Sequence, residues 1–311
     1  MGRRLAALVV VLVLAGCHDH PNPNPTPSSL PSASASTKPP STPPVTPPTT
    51  PPKPPTTPPT TPTPDPPAAF PNAASTGAPV ETGLPAGPCS LASNTVYDRR
   101  DFACSRLEVR SGTVIRNSVI RGEVKGDPAG TGFTVEDSTI VGSGCVGAAA
   151  VGNSNFTLKR VHIRGFNDGV RSEGPNVRVY DSLIEICFSA GGHADGLQVC
   201  PSSAGCGGSN DTSGLVFNHN TVTHPKADST GAVFVMGGSA PSQITNNLLA
   251  GFSITLRVHA PATVTGNRLV DGSWLYGPTA CEGFSGTWSD NRVVTLGANY
   301  SVTSTGDEVR C

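Results

Sequence analysis

Two aspartates in a repeated frame are the residues of this chain best placed to do chemistry. Gly165-Phe166-Asn167-Asp168-Gly169-Val170-Arg171 matches Gly192-His193-Ala194-Asp195-Gly196-Leu197-Gln198 position for position. Gly251-Phe252-Ser253-Ile254-Thr255-Leu256-Arg257 repeats the frame further on, and Thr230-Gly231-Ala232-Val233 fits it with looser register. Stacked, these copies give one column of Asp168, Asp195, Thr230 and Ile254 and another of Arg171, Gln198, Val233 and Arg257. Neighbouring strands would hold the two carboxylates about 5 Å apart. Like charges that close repel, so one pKa should rise toward the range of a general acid. Arg171 and Arg257 add fixed positive charge and planar donors suited to a uronate carboxylate. His193 precedes Asp195 by two residues and His259 follows Arg257 by two, spacings that share a strand face. The candidate catalytic set is therefore Asp195, Asp168, His193, Arg171 and Arg257. Gln198, His259, Trp274 and Tyr276 are candidate binding residues. A structural reading competes. Asp-Gly is a turn dipeptide, with Asp bonding its own backbone and Gly at positive φ, and a repeat places it at one corner on successive turns.

The elements that must position this frame are short strands. A phrase of apolar residue, polar step, small polar residue and β-branched or leucine pair recurs as VIRNSVIRG, TVEDSTIVG, TLKRVHIRG, VRVYDSLIE, LVFNHNTVT, QITNNLLAG, TVTGNRLVD and TWSDNRVVT. Its equivalent positions are Ser118, Ser138, Val161, Ser182, Asn220, Asn247, Asn267 and Asn291. Most steps lie in the low twenties, the period of a solenoid whose copies must stack because none can form a core alone. Alternating apolar residues beside Gly, Asn, Asp and Ser corners predict strands and tight turns, with few helical candidates. Stacked about 4.8 Å apart, the asparagine amides should hydrogen-bond in a ladder, with the serines continuing the column.

This pattern resembles the right-handed parallel β-helix of the pectate-lyase type over nearly all of residues 87–311. The resemblance implies an all-β, single-stranded solenoid that attacks or grips polysaccharide along its side. A lyase would neutralise a uronate carboxylate with calcium or arginine and remove the adjacent proton with Arg, Lys or His. An inverting hydrolase would pair one Asp as acid with another as base. His193-Ala194-Asp195-Gly196 resembles the NTDG motif of polygalacturonases, although the double-aspartate, GHG and RIK elements of that family are missing. The alternative class is a non-catalytic glycan-binding or structural surface protein, for which Trp274, Tyr276, Trp288 or Phe252 would supply the sugar-stacking rings. Calcium is the one cofactor the lyase reading would call for, and no other metal site is predicted.

The rest of the chain sets the location. Residues 1–17 hold Arg3 and Arg4, an apolar run too short to span a bilayer, and the tetrapeptide Leu14-Ala15-Gly16-Cys17. That ending resembles a bacterial lipobox, which implies export, cleavage before Cys17 and a lipid anchor on its sulfur. Residues 18–86 are expected to be a disordered Pro/Thr/Ser-rich linker, too poor in large apolar side chains to fold. As polyproline II it would reach on the order of 140 Å. The net charge of −1 gives no electrostatic case for nucleic acid. The expected partners are a polysaccharide or cell-wall glycan, and the membrane through the lipid alone, with the protein a monomer. Of nine cysteines, eight besides Cys17 suit disulfides outside the cytoplasm. Cys89 with Cys104 and Cys281 with Cys311 would pin the ends, Cys200 with Cys206 would close an insertion, and Cys145 would be left for Cys187.

Overall fold

In the computed structural model of the chain, residues 69–127, 130–188, 193–199, 211–227, 229–238 and 240–311 are described. The signal segment, Cys17, most of the linker, and Cys200 with Cys206 lie outside these residues. Residues 67–311 form one compact unit. It is a β-solenoid of stacked parallel coils, and among the described residues its one helical element is the single 3-10 turn Ala298–Tyr300.

Each coil has three faces. One complete turn runs through the strands Val177–Tyr180, Leu183–Ile186 and Asp195–Val199. The first face is a nine-stranded parallel sheet from Val96–Asp98 to Ser285–Ser289. The second and third faces are joined in a sixteen-stranded sheet, because the long strands Thr139–Asn153 and His162–Ser172 turn the corner between them. The alternation read from the sequence fills the interior. Ile115, Val135, Leu158, Val179, Phe217, Ile244 and Val264 stack in register behind the first face. Ile120, Ile140, Ile163, Ile184, Val222, Leu249 and Leu269 do so behind the second. Leu107, Val124, Val151, Val170, Leu197, Val233 and Leu256 form the third column. All of these side chains are wholly buried, each worth about 1.5–3 kcal/mol relative to exposure.

The corner between the first and second faces holds the polar ladder. Asn220 Nδ2 donates to Asn247 Oδ1 (3.1 Å), Asn247 Nδ2 to Asn267 Oδ1 (2.9 Å), and Asn267 Nδ2 to Asn291 Oδ1 (2.8 Å). Each of these oxygens also accepts the backbone N–H of the preceding asparagine. Ser182 N donates to Asn220 Oδ1, and Ser118 N to Ser138 Oγ, so serine continues the same backbone contact with a shorter group. The residue before each rung adopts a left-handed φ, 46–57° at Asn117, Asp137, Asp181, His219, Asn246 and Asp290 and 71° at Gly266. Asn and Asp tolerate that conformation best, which explains the amide-and-acid corner composition.

The ends are closed as the cysteine spacing predicts. Cys89–Cys104, Cys145–Cys187 and Cys281–Cys311 are paired, with Cα separations of 5.7, 5.5 and 5.6 Å. The domain starts earlier than the composition suggests. Residues 72–86, read from sequence as linker, lie across the outer second face. Gly77 N donates to Arg160 O (2.9 Å) and Ala78 N to Thr139 Oγ1 (3.0 Å). Glu81 accepts from Arg164 Nη2 (2.7 Å), Arg164 Nη1 (3.2 Å) and Thr139 Oγ1 (2.7 Å). A single carboxylate placed over an outward arginine thus anchors a strap that composition alone marks as unfolded.

Two predictions follow from these contacts. Asn247→Ala removes the side-chain acceptor of the Asn220 backbone N–H, one of two acceptors of Asn220 Nδ2, and the side-chain donor to the Phe217 carbonyl. It should cost on the order of 3 kcal/mol or more in urea unfolding; a loss within the scatter of surface substitutions would refute the ladder's structural role. The hydrogen bonds from Arg164 hold the Glu81 pKa down at about 2. A carboxylate depressed on folding stabilises fully above its ordinary pKa and less as pH falls toward the folded value. The amides of Gly77 and Ala78 should therefore exchange faster as pH drops from 4.5 toward 2 (after correction for intrinsic rates), and Glu81→Gln should remove that dependence.

Candidate functional site

The repeated frame sits where the second face gives way to the third. Within His162–Ser172 and Asp195–Val199, Val170 pairs with Leu197 and Arg171 with Gln198, which puts Asp168 opposite Asp195 on adjacent coils. The next coils pair Asp195 with Gly231, Gln198 with Phe234, and Phe234 with Arg257. The later part of both expected columns is thus corrected by one residue: Gly231, not Thr230, follows Asp195, and Phe234, not Val233, follows Gln198. The segment Ala232-Val233-Phe234-Val235 is apolar throughout, so alternation could not fix its register, and Val233 faces the core.

Four of the candidates form one connected network. Arg171 Nη2 donates to Asp168 Oδ2 (2.5 Å), Arg171 Nε to Gln198 Oε1 (2.8 Å), and Gln198 Nε2 to Asp195 Oδ2 (3.0 Å). The other oxygen of each carboxylate takes a backbone N–H from the following coil. Asp168 Oδ1 accepts from Asp195 N (3.1 Å) and Asp195 Oδ1 from Gly231 N (2.9 Å). Asp168 is 2% and Asp195 0% exposed, so neither carboxylate meets solvent as an isolated acid would. Burial raises the Asp168 pKa against the pull of Arg171. Burial, reinforced by the neighbouring Asp168 charge, pushes Asp195 well above the ordinary carboxylate range. The repulsion argued from spacing is therefore real, but desolvation is the larger cause.

The glycines after these aspartates play a different part from the one a turn would give them. Neither Gly169 nor Gly196 is among the residues at positive φ; both lie within strands. A Cβ on Gly196 would stand 2.3 Å from Val222 Cγ1 and 2.4 Å from Ala232 O, and one on Gly169 would stand 2.6 Å from Gly196 O. The Asp-Gly pairs are close-approach positions between coils, not left-handed turns.

The remaining candidates spread along the third face. Arg257 lies two rungs beyond Gln198, with its Cζ 4.7 Å from the centroid of the Phe234 ring. Its Nε is buried without a hydrogen-bond partner among the described residues. His259 packs edge-on to Phe234 (6.4 Å) and faces Glu282 through Nδ1, 3.0 Å from its carbonyl. His193 is exposed, and its Nδ1 pairs with Thr230 Oγ1 at 3.1 Å. Trp274 is half-buried and packs against the core, whereas Tyr276 is 69% exposed just before the strand Gly277–Ala280. Sequence reading missed Phe234. It also missed Lys125, which shares the outward column through its pairing with Gly152, itself opposite Arg171. Lys125 lies flat across Gly152, where a Cβ would come within 2.3 Å of Nζ. Among the described residues no group of three His, Cys, Asp or Glu side chains converges as a metal site would require.

A folded-state pKa above the unfolded one contributes stability that is full at low pH and lost as pH rises toward the raised value. Asp195→Asn keeps a carbonyl oxygen for Gly231 N and removes the buried acid. Its unfolding free energy should be flatter than the parent's between pH 4 and 8, with a pH-independent cost from the amide NH2 it sets against Gln198 Nε2. Asp195→Ala, which leaves Gly231 N and Gln198 Nε2 unpaired, should cost about 2–4 kcal/mol at any pH. Equal losses for both variants would contradict the shifted acid. The chain matches no protein-family model, no curated protein and no solved structure.

Proposed function

We propose that this is an exported surface protein that binds an acidic polysaccharide along its third face. The observation that carries the reading is the outward run Arg171, Gln198, Phe234, Arg257 on four consecutive coils. Rungs about 4.8 Å apart carry two guanidinium groups in a line, with the largely buried Gln198 amide and Phe234 ring between them. Planar donors at that spacing suit carboxylates repeated along a polymer. The Phe234 ring and Arg257 hold each other in place, so little side-chain entropy is lost on binding. Beneath them Asp168 and Asp195 act as positioning residues that fix Arg171 and Gln198. In the lipoprotein reading, Cys17 carries the lipid, and the Pro/Thr-rich segment holds the solenoid away from the membrane. The three cysteine pairs are consistent with an extracytoplasmic location.

Catalysis is the second reading, favoured by the strongly raised acid of Asp195 beside Arg171 and His193. Against it stands the complete burial of Asp195, whose two oxygens both accept N–H groups from the protein.

Full-length chain purified oxidised in detergent should retain polyuronates in affinity electrophoresis and release them as salt rises. Arg171→Gln and Arg257→Gln should each weaken retention at least tenfold, while neutral glucans pass unretarded. Failure to retain any acidic polysaccharide would overturn the proposal. Unsaturated-uronate absorbance that vanishes in Asp195→Asn would instead establish a lyase, and new reducing ends without that absorbance a hydrolase.

A further inference from the structure

On the opposite side of the solenoid from the third face, the outer ridge of the ladder corner carries a cavity. It has a volume of about 530 Å³, within the range of small-ligand sites. Its floor is made of corner residues from successive coils: Asp181, Asn218 with His219, Asn246, and Gly266 with Arg268. Its walls come from the two ends of the domain. Phe70 stacks on the His219 ring (centroids 5.9 Å, 28°) from one side. Val302 and Thr305 of the final antiparallel strand, Val302–Glu308, close the other.

The chemistry of the lining selects a neutral polar ligand. Arg268 is engaged by Asp290 through Oδ2 (2.9 Å) and the backbone carbonyl (2.6 Å). Asp181 Oδ1 faces His219 Nδ1 at 2.7 Å. Arg268 and Asp181 are thus each engaged by a protein group before any ligand arrives. Hydrogen-bonding capacity remains nonetheless. Asn218 Oδ1 accepts from Thr245 Oγ1 (2.8 Å) and Asn246 Nδ2 (3.1 Å), so its own Nδ2 is unused among the described residues. The second carboxylate oxygen of Asp181 is likewise an unused acceptor there. An aromatic plate beside mixed donors and acceptors is the complement of a sugar ring, apolar on its face and hydroxylated around its edge.

We propose that this corner cavity is a binding site for a neutral sugar of one or two rings. It is separate from the third-face strip and independent of the reading given to that strip. The site exists only when both ends of the domain are docked, since Phe70 and the strand Val302–Glu308 supply its walls.

Saturation-transfer NMR tests this on the full-length chain with a panel of neutral mono- and disaccharides, and with uronic acids as controls. At least one neutral sugar should give ring-proton signals. Phe70→Ala and Asn218→Leu should each weaken its affinity fivefold or more, while Arg171→Gln leaves it unchanged. Phe70 precedes the strap and lies outside the core, so Phe70→Ala should melt with the parent and serves as the variant free of folding effects. Absence of any neutral-sugar signal would overturn the proposal. So would signals that survive both cavity variants, or that uronic acids displace through Arg171.

Discussion

Every coil of this solenoid must turn corners, and each corner takes backbone N–H groups out of reach of the strand ladder and of water. Leaving such a donor unpaired in the interior costs about 1–3 kcal/mol, and a repeat fold would incur that cost on every turn. Side-chain oxygens from adjacent coils meet the need. At the first corner the acceptor comes from the following coil, as when Asn247 Oδ1 takes Asn220 N. At the corner leading into the third face it comes from the preceding coil, as when Asp168 Oδ1 takes Asp195 N. The two ladders run in opposite senses along the same axis.

The difference between amide and carboxylate decides what each ladder can become. An asparagine accepts from one neighbour and donates to the other, so a column of them is self-satisfying and electrically neutral. A carboxylate only accepts, so Asp168 above Asp195 cannot continue such a column. Their outer oxygens need donors from elsewhere, and Arg171 and Gln198 supply them from the outward side of the strand. That requirement pulls a guanidinium and an amide into fixed positions on the third face. Structural necessity at the corner thus creates the ordered polar surface that the proposed function uses.

The fold was legible because its constraint repeats. Ser118 through Asn291 mark one buried column, and the valine, isoleucine and leucine positions around them mark the interior, so periodicity alone orders the strands. The pairing of Asp168 with Asp195 was legible for the same reason, since the flanking glycines and apolar residues lock the frame. Legibility failed where the repeat gave no alternation. Ala232 to Val235 are apolar on both faces, and Phe234 could be assigned to the outer column only by its pairing with Gln198 and Arg257. The strap was illegible for a different reason. Residues 72–86 are as poor in large apolar side chains as the linker before them, and their attachment rests on contacts distant in sequence, such as Glu81 with Arg164, 83 residues apart, and Ala78 with Thr139.

The glycines show how one residue type carries two meanings that sequence cannot separate. In an Asp-Gly pair the dipeptide statistics favour a left-handed turn. Gly169 and Gly196 are instead selected by lack of space, because the neighbouring coil's carbonyl and branched side chains occupy the position of a Cβ. Once these glycines belong to strands, the aspartates before them are also strand residues, with their oxygens committed between coils. Reactivity at Asp195 then depends on whether the Gly231 and Gln198 hydrogen bonds can be released while the carboxyl stays protonated. That is a question about the stiffness of the third-face strands, and the paired neighbours on both sides of Asp195–Val199 make those strands stiff.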